Sequence, residues 1–110
     1  MERFVKGNVV VVPFPFSDLS GTKKRPALIV ANIISNDYIL CEITTVPVTD
    51  NYSILLESID FEDGGLNKSS KIRPNKIFTL DSSIIFYSTG KLKDYKIKEV
   101  EDILIKLFKQ

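Results

Sequence analysis

Residues 8–14, NVVVVPF, form an unbroken β-branched run bounded by Gly7 and two prolines, the pattern of a strand buried on both faces. Pro13 and Pro15 lack the amide donor of a sheet ladder, so regular pairing is expected to end there and feed a loop over 16–24. Pro26 restricts Arg25 to an extended conformation, and PALIVANI reads as the second strand. Asn36 and Asp37 mark a turn into YILCEITT, which predicts an antiparallel hairpin. After a loop over 46–53, YSILLES is a further strand, and DFEDGGLNKSS is a polar surface connection. KIRPNKIFTLD suggests two short extended pieces around Pro74, and SSIIFYSTGKL a last strand. Only at the end does the period change: Ile97, Val100, Ile103, Leu104, Leu107 and Phe108 recur at three- and four-residue spacing, as on one face of a helix with Asp94 as its N-cap. Five or six short strands followed by one helix predict a mainly β, α+β fold, a small antiparallel barrel with the helix over an opening or an edge.

Length limits this pattern to one domain spanning residues 1–110, which buries about 65% of the surface its unfolded form exposes. No segment approaches the roughly 20 apolar residues that cross a bilayer, and MERFVKGN contains no signal-like apolar run, so no membrane association and a cytoplasmic location are expected. With a single cysteine and no histidine, no zinc-ligand cluster or other metal site is expected, and no cofactor. The missing imidazole also removes the side chain that most often moves protons near neutral pH.

Net charge is only +1, but its distribution is uneven. Lys23, Lys24 and Arg25 form one basic knot, Lys68, Lys71, Arg73 and Lys76 a second, and Lys91, Lys93, Lys96 and Lys98 a third. A turn at SDLSG needs no cations, so the KKR before Pro26 is a candidate phosphate-facing element that draws in Ser17, Asp18, Lys23 and Lys24. Alternation places Arg25 on one face with Ala27, Ile29 and Ala31, small enough to leave a hollow in which a planar guanidinium would grip two phosphate oxygens. Alternation also puts Thr44 on a face with Leu40 and Glu42, where a hydroxyl would donate to phosphate; Glu42 reads as structural or exposed. Arg73 and Lys76 are candidate contacts to a polyanion backbone, with Tyr52, Phe78 and Tyr87 as possible stacking partners, although charges on a strand edge also guard against aggregation. Cys41, in an apolar strand, reads as a buried, inert thiol.

GNVVVVPFPFSDLSGTKKRPALIVAN resembles the opening of the MazF/PemK family of toxin endoribonucleases, LCEITTVP its second signature, and KIRPNKIFTLD, GKL and the terminal helix its last third. The resemblance implies an SH3-like, CcdB/MazF-like barrel that forms a homodimer, with grooves for single-stranded RNA. It also implies metal-independent, sequence-specific RNA cleavage by a catalytic pair that falls on Arg25 and Thr44, and a cognate antitoxin as partner. Many relatives carry an acidic residue before the Arg-Pro step where this chain has Gly21-Thr22-Lys23-Lys24. The alternatives are a non-catalytic toxin of the same fold that poisons DNA gyrase, and an inactive SH3-like interaction module.

Overall fold

Val9, Val10 and Val12 are wholly buried, Val9 in one apolar cluster and Val10 and Val12 in another on the opposite side of their strand. The computed structural model describes residues 4–15, 22–33 and 35–110. Within these, β1 (Asn8–Pro15), β2 (Thr22–Asn32), β3 (Asp37–Thr44), β4 (Ile54–Leu56), β5 (Phe61–Gly64), β6 (Ser70–Asp81) and β7 (Tyr87–Leu92) precede one helix, α1 (Asp94–Phe108). The strands form one antiparallel sheet in the order β4-β6-β3-β2-β1-β7-β5. Its outermost strands, β4 and β5, are joined by only a 3-10 turn at Ser58–Asp60, so the sheet must curl until its edges approach.

The curl encloses Val9, Leu28, Cys41, Ile43, Ile54, Leu56, Phe61, Ile72 and Leu92, and α1 closes this cluster with buried Val100 and half-buried Ile97, Ile103 and Leu104. Each such aliphatic side chain taken from water contributes about 1.5–3 kcal/mol, which outweighs the weak helix preference of a stretch rich in β-branched residues. Gly7 has φ 96° and a Cβ there would lie 2.6 Å from Ile97 Cδ1, so this turn needs glycine both for its backbone and for the helix above it. On the other face Phe4, Val10, Val12, Ala27, Ile29, Tyr38, Leu40 and Ile85 form a second cluster.

Several expectations need correction. β2 begins at Thr22, so Lys23 and Lys24 belong to a strand and not to a loop. Pro13 and Pro15 stay in β1, opposite Lys24 and Thr22. The Val11 carbonyl accepts from Phe86 N at 2.9 Å, away from β2; positions 13 and 15 share that orientation, so their missing amides cost no bond to β2. Residues 61–64, expected in a surface connection, form β5, whose only buried side chain is Phe61; a strand so exposed carries almost no apolar signal. β6 runs unbroken through Pro74 because Pro74, Asn75 and Lys76 form a bulge between the rungs Cys41–Ile77 and Glu42–Arg73. The helix N-cap is Lys93, with Asp94 in the first turn.

In the third basic knot, Lys96 is structural. Its Nζ donates to Leu55 O at 3.0 Å and to Glu99 Oε1 at 2.9 Å, and lies 3.7 Å from Asp60 Oδ2. Asp60, also buried, accepts from Glu57 N at 2.8 Å and from the Tyr95 hydroxyl at 2.7 Å. This group ties α1 to the turn between β4 and β5. Burial works to raise the Asp60 pKa, but the Glu57 amide, the Tyr95 hydroxyl and the Lys96 ammonium together hold it below the usual carboxylate value.

Cys41 is fully buried, and burial pushes its thiol up to about 12. Thiolate is the reactive form, so native protein is expected to resist a disulfide reagent at pH 8 and to react stoichiometrically once unfolded in guanidinium. Rapid labelling of the native protein would contradict this burial.

Candidate nucleic-acid interface

Cross-strand partners in a sheet point to the same face, so the register fixes which side chains can meet. Val12 opposes Arg25, Val10 opposes Ala27, Ala27 opposes Glu42, and Ile29 opposes Leu40. Arg25, Glu42 and Thr44 therefore share the face of the second apolar cluster, beyond its Val10–Ala27–Leu40 centre. Run two residues past the Ala27–Glu42 rung, the same register carries Arg25 opposite Thr44. On the other flank of β3, Glu42 opposes Arg73 and Thr44 opposes Lys71, which adds two cations from β6 to the same face.

Thr44 is buried, and its Oγ1 accepts from Val46 N at 3.1 Å as β3 turns into the following loop. Accepting this bond orients the hydroxyl and leaves its proton available to an incoming acceptor. Ala27 and Ile29, expected to border a hollow beside Arg25, are themselves wholly buried in the second cluster. Ala31 drops out of the row, since the register shifts between Ile29 and Ala31. The Arg25 end of the face is consequently a ledge on a packed apolar floor.

Arg73 and Glu42 are joined in a way that the sequence did not reveal. Arg73 Nη1 lies 3.8 Å from Glu42 Oε2, and Nη2 lies 3.3 Å from Asp50 Oδ2, with all three side chains mostly buried. Asp50 Oδ1 also accepts from Tyr52 N at 2.9 Å and Ser53 N at 2.8 Å, closing an Asx-type turn. The Ser53 and Tyr52 amides, and then Arg73, hold the Asp50 carboxyl below its ordinary pKa, although partial burial opposes them. Asp50-x-x-Ser53 was the available signal for this turn; its link to Arg73 depends on the bulge at 74–76.

Of the remaining candidates, Lys23 is exposed and shares the face of Arg25, while Lys24 lies on the other face with its Nζ 5.3 Å from the Phe86 ring centroid. Lys76 is exposed on the β6 bulge. Ser17 and Asp18 lie outside the described residues. Tyr87 is half exposed, Tyr52 partly buried, and Phe78 packs against the second cluster.

Solved structures share this architecture over almost their whole length. An endoribonuclease in complex with its cognate antitoxin from a mycobacterial species superposes with TM-score 0.77 at 15% identity, over 96% of this chain and 95% of that one. A MazF from a MazE–MazF complex of Deinococcus radiodurans gives TM-score 0.75 at 18% identity, over 96% and 95% of the two chains. The Mycobacterium tuberculosis toxin MazF-mt6 gives 0.72 at 15% identity, over 93% and 96%. No curated protein matches the chain by sequence. The family model for the PemK-like, MazF-like toxin of type II toxin–antitoxin systems matches residues 5–108, nearly the whole chain, and the chain belongs to that family.

Proposed function

We propose that this toxin is an endoribonuclease that cuts single-stranded RNA on the Arg25–Thr44 face. The observation that carries the reading is the register, which aligns a strand-fixed guanidinium, an oriented hydroxyl and a carboxylate on one ledge within a toxin-family fold. Attack of a ribose 2′-hydroxyl on the adjacent phosphorus forms the P–O2′ bond and breaks the P–O5′ bond, leaving a 2′,3′-cyclic phosphate and a 5′-hydroxyl. Such a step needs in-line positioning, stabilisation of charge on the phosphorane oxygens and proton transfer. Arg25 supplies paired donors to those oxygens and Thr44 a third. Ser17, Asp18, Lys23 and Lys76 extend the RNA contact, with Lys23 nearest in face to Arg25, whereas Lys24, on the opposite face, is not part of this contact.

A cognate antitoxin is the protein partner, as it is for the mycobacterial neighbour solved in complex with its own, and the toxin acts as a homodimer in the cytoplasm. Among the described residues no helix is long and apolar enough to cross a membrane. Incubating the purified protein with a long single-stranded RNA in EDTA is expected to give discrete cuts, with 5′-hydroxyl ends mapped by primer extension. Intact RNA at stoichiometric protein would overturn the reading in favour of a non-catalytic toxin.

A further inference from the structure

The site includes a carboxylate with no ordinary reason to be there. Glu42 stands in the middle strand of the ledge, between Ala27 on β2 and Arg73 on β6, with its side chain only 13% exposed. An apolar residue at that place would extend the Val10–Ala27–Leu40 floor at no desolvation cost. A mostly buried acid instead requires a cation, and the cation it has is itself incompletely satisfied: among the described residues, Arg73 Nε is buried without a hydrogen-bond partner. Burying an ion pair of this kind stabilises little compared with an apolar pair of the same volume, and an orphaned buried donor is a further cost. Stability therefore gives no account of the Glu42–Arg73–Asp50 row, whereas a reaction on the same face does.

We propose that Glu42 is the proton acceptor of the RNA-cleaving centre, and that Arg73, braced by Asp50, is the positioning residue that fixes the Glu42 carboxylate. The inference rests on the reading of the Arg25–Thr44 face as a ribonuclease site. Glu42 and Thr44 are two residues apart on one strand face, about 6.6–6.8 Å along the strand. A phosphate held by Thr44 and Arg25 therefore places the 2′-hydroxyl of the preceding ribose within reach of the Glu42 carboxylate. The proton passes from O2′ to the carboxylate as the P–O2′ bond forms, the electron pair of the P–O5′ bond leaves with O5′, and O5′ takes a proton from water or from the newly protonated Glu42. The charged groups facing Glu42 are Arg25 from β2, Arg73 and Lys71 from β6, and Asp50 from the loop. Arg73 takes up its position through two carboxylates, so its loss would release Glu42 while leaving the RNA-facing cations in place.

Single-turnover cleavage and RNA binding, measured separately across pH, test the assignment. Glu42→Gln, which keeps the shape and an oxygen for Arg73, is expected to lower the cleavage rate constant by about 10²–10³-fold with RNA affinity unchanged. Its remaining rate should climb tenfold per pH unit, as hydroxide replaces the lost acceptor, while the wild-type rate levels off. Arg73→Met is expected to slow cleavage by about 10–100-fold without weakening binding, with Arg73→Lys intermediate. Asp50→Asn, a milder change to the same brace, should act in the same direction and decides the matter if Arg73→Met does not fold. A Glu42→Gln protein as fast as wild type would overturn the acceptor role. Arg73 and Asp50 variants altered only in RNA affinity would overturn the positioning role and make Arg73 a backbone contact. In either case Arg25-dependent cleavage by the wild type would leave the ribonuclease reading standing, whereas no cleavage by the wild type would remove both.

Discussion

Replacing Arg25 by alanine is expected to lower RNA cleavage by about 10³-fold or more, with the protein still folded. Charge builds on the phosphorane oxygens in the transition state, and a preorganised donor aimed at such charge is worth about 10²–10³-fold for one hydrogen bond. Arg25 offers a fork of two, and β2 holds that fork in place: Val12 opposes it across one ladder, and Pro26 keeps its backbone extended. The neighbouring strand packing survives the change, because Ala27 and Ile29 carry the buried contacts on that face. Arg25→Lys retains the charge and loses the planar fork, so it should recover only part of the rate. Rate constants from a fluorescent RNA substrate, together with circular dichroism to confirm folding, measure both effects. Full activity in Arg25→Ala would place the chemistry elsewhere on the sheet.

The second large effect concerns stability. Lys96→Met should destabilise the protein by about 3 kcal/mol, because it leaves the buried Asp60 carboxylate without its cation while the Glu57 and Tyr95 bonds remain. Lys96 also loses its bond to Leu55 O, so β4 is released from the helix along with the turn. Changing both residues, Asp60→Asn with Lys96→Met, removes the stranded charge and is expected to recover part of the loss. The same group predicts a pH dependence. The folded-state pKa of Asp60 is depressed below the ordinary aspartate value, so its contribution is fully present above about pH 4 and is lost as the pH falls through the lower folded-state value. Urea denaturation at fixed protein concentration, at pH 7 and pH 3, should show wild type losing more stability on acidification than Asp60→Asn. Equal losses in the two proteins would show that Asp60 does not carry this dependence.

Most of the fold was legible because its burial is one-dimensional. The valine run, the alternating third strand and the three- and four-residue spacing of α1 each announce their element through their own residues. β5 did not, since only Phe61 of its four residues is buried and its pairing with β7 is set from outside. The prolines misled for a related reason: proline excludes a ladder only on the side its nitrogen faces, and the sequence cannot say which side carries the neighbour.

The ledge divides in the same way. Alternation groups Arg25 with Ala27 and Ile29, and Thr44 with Glu42, and that much could be read directly; that the two groups share one face depends on the register of β2 against β3. What packs over Ala27 and Ile29 could not be read in this way. The link from Arg73 to Asp50 crosses 23 positions and passes through a three-residue bulge that resets β6 against β3. Without that bulge, extending the Cys41–Ile77 rung would bring Lys76 opposite Glu42 and the Arg25–Thr44 face would meet a different set of cations.

The orientation of Pro13 and Pro15 has one more consequence. Among the described residues, β1 beyond Val11 has β2 as its only strand neighbour, which would ordinarily leave an open backbone edge able to recruit a foreign strand. Two of the outward-facing positions on that edge have no hydrogen to donate. Main-chain pairing of a foreign strand along this margin is thereby weakened, and whatever docks against it depends more on side chains.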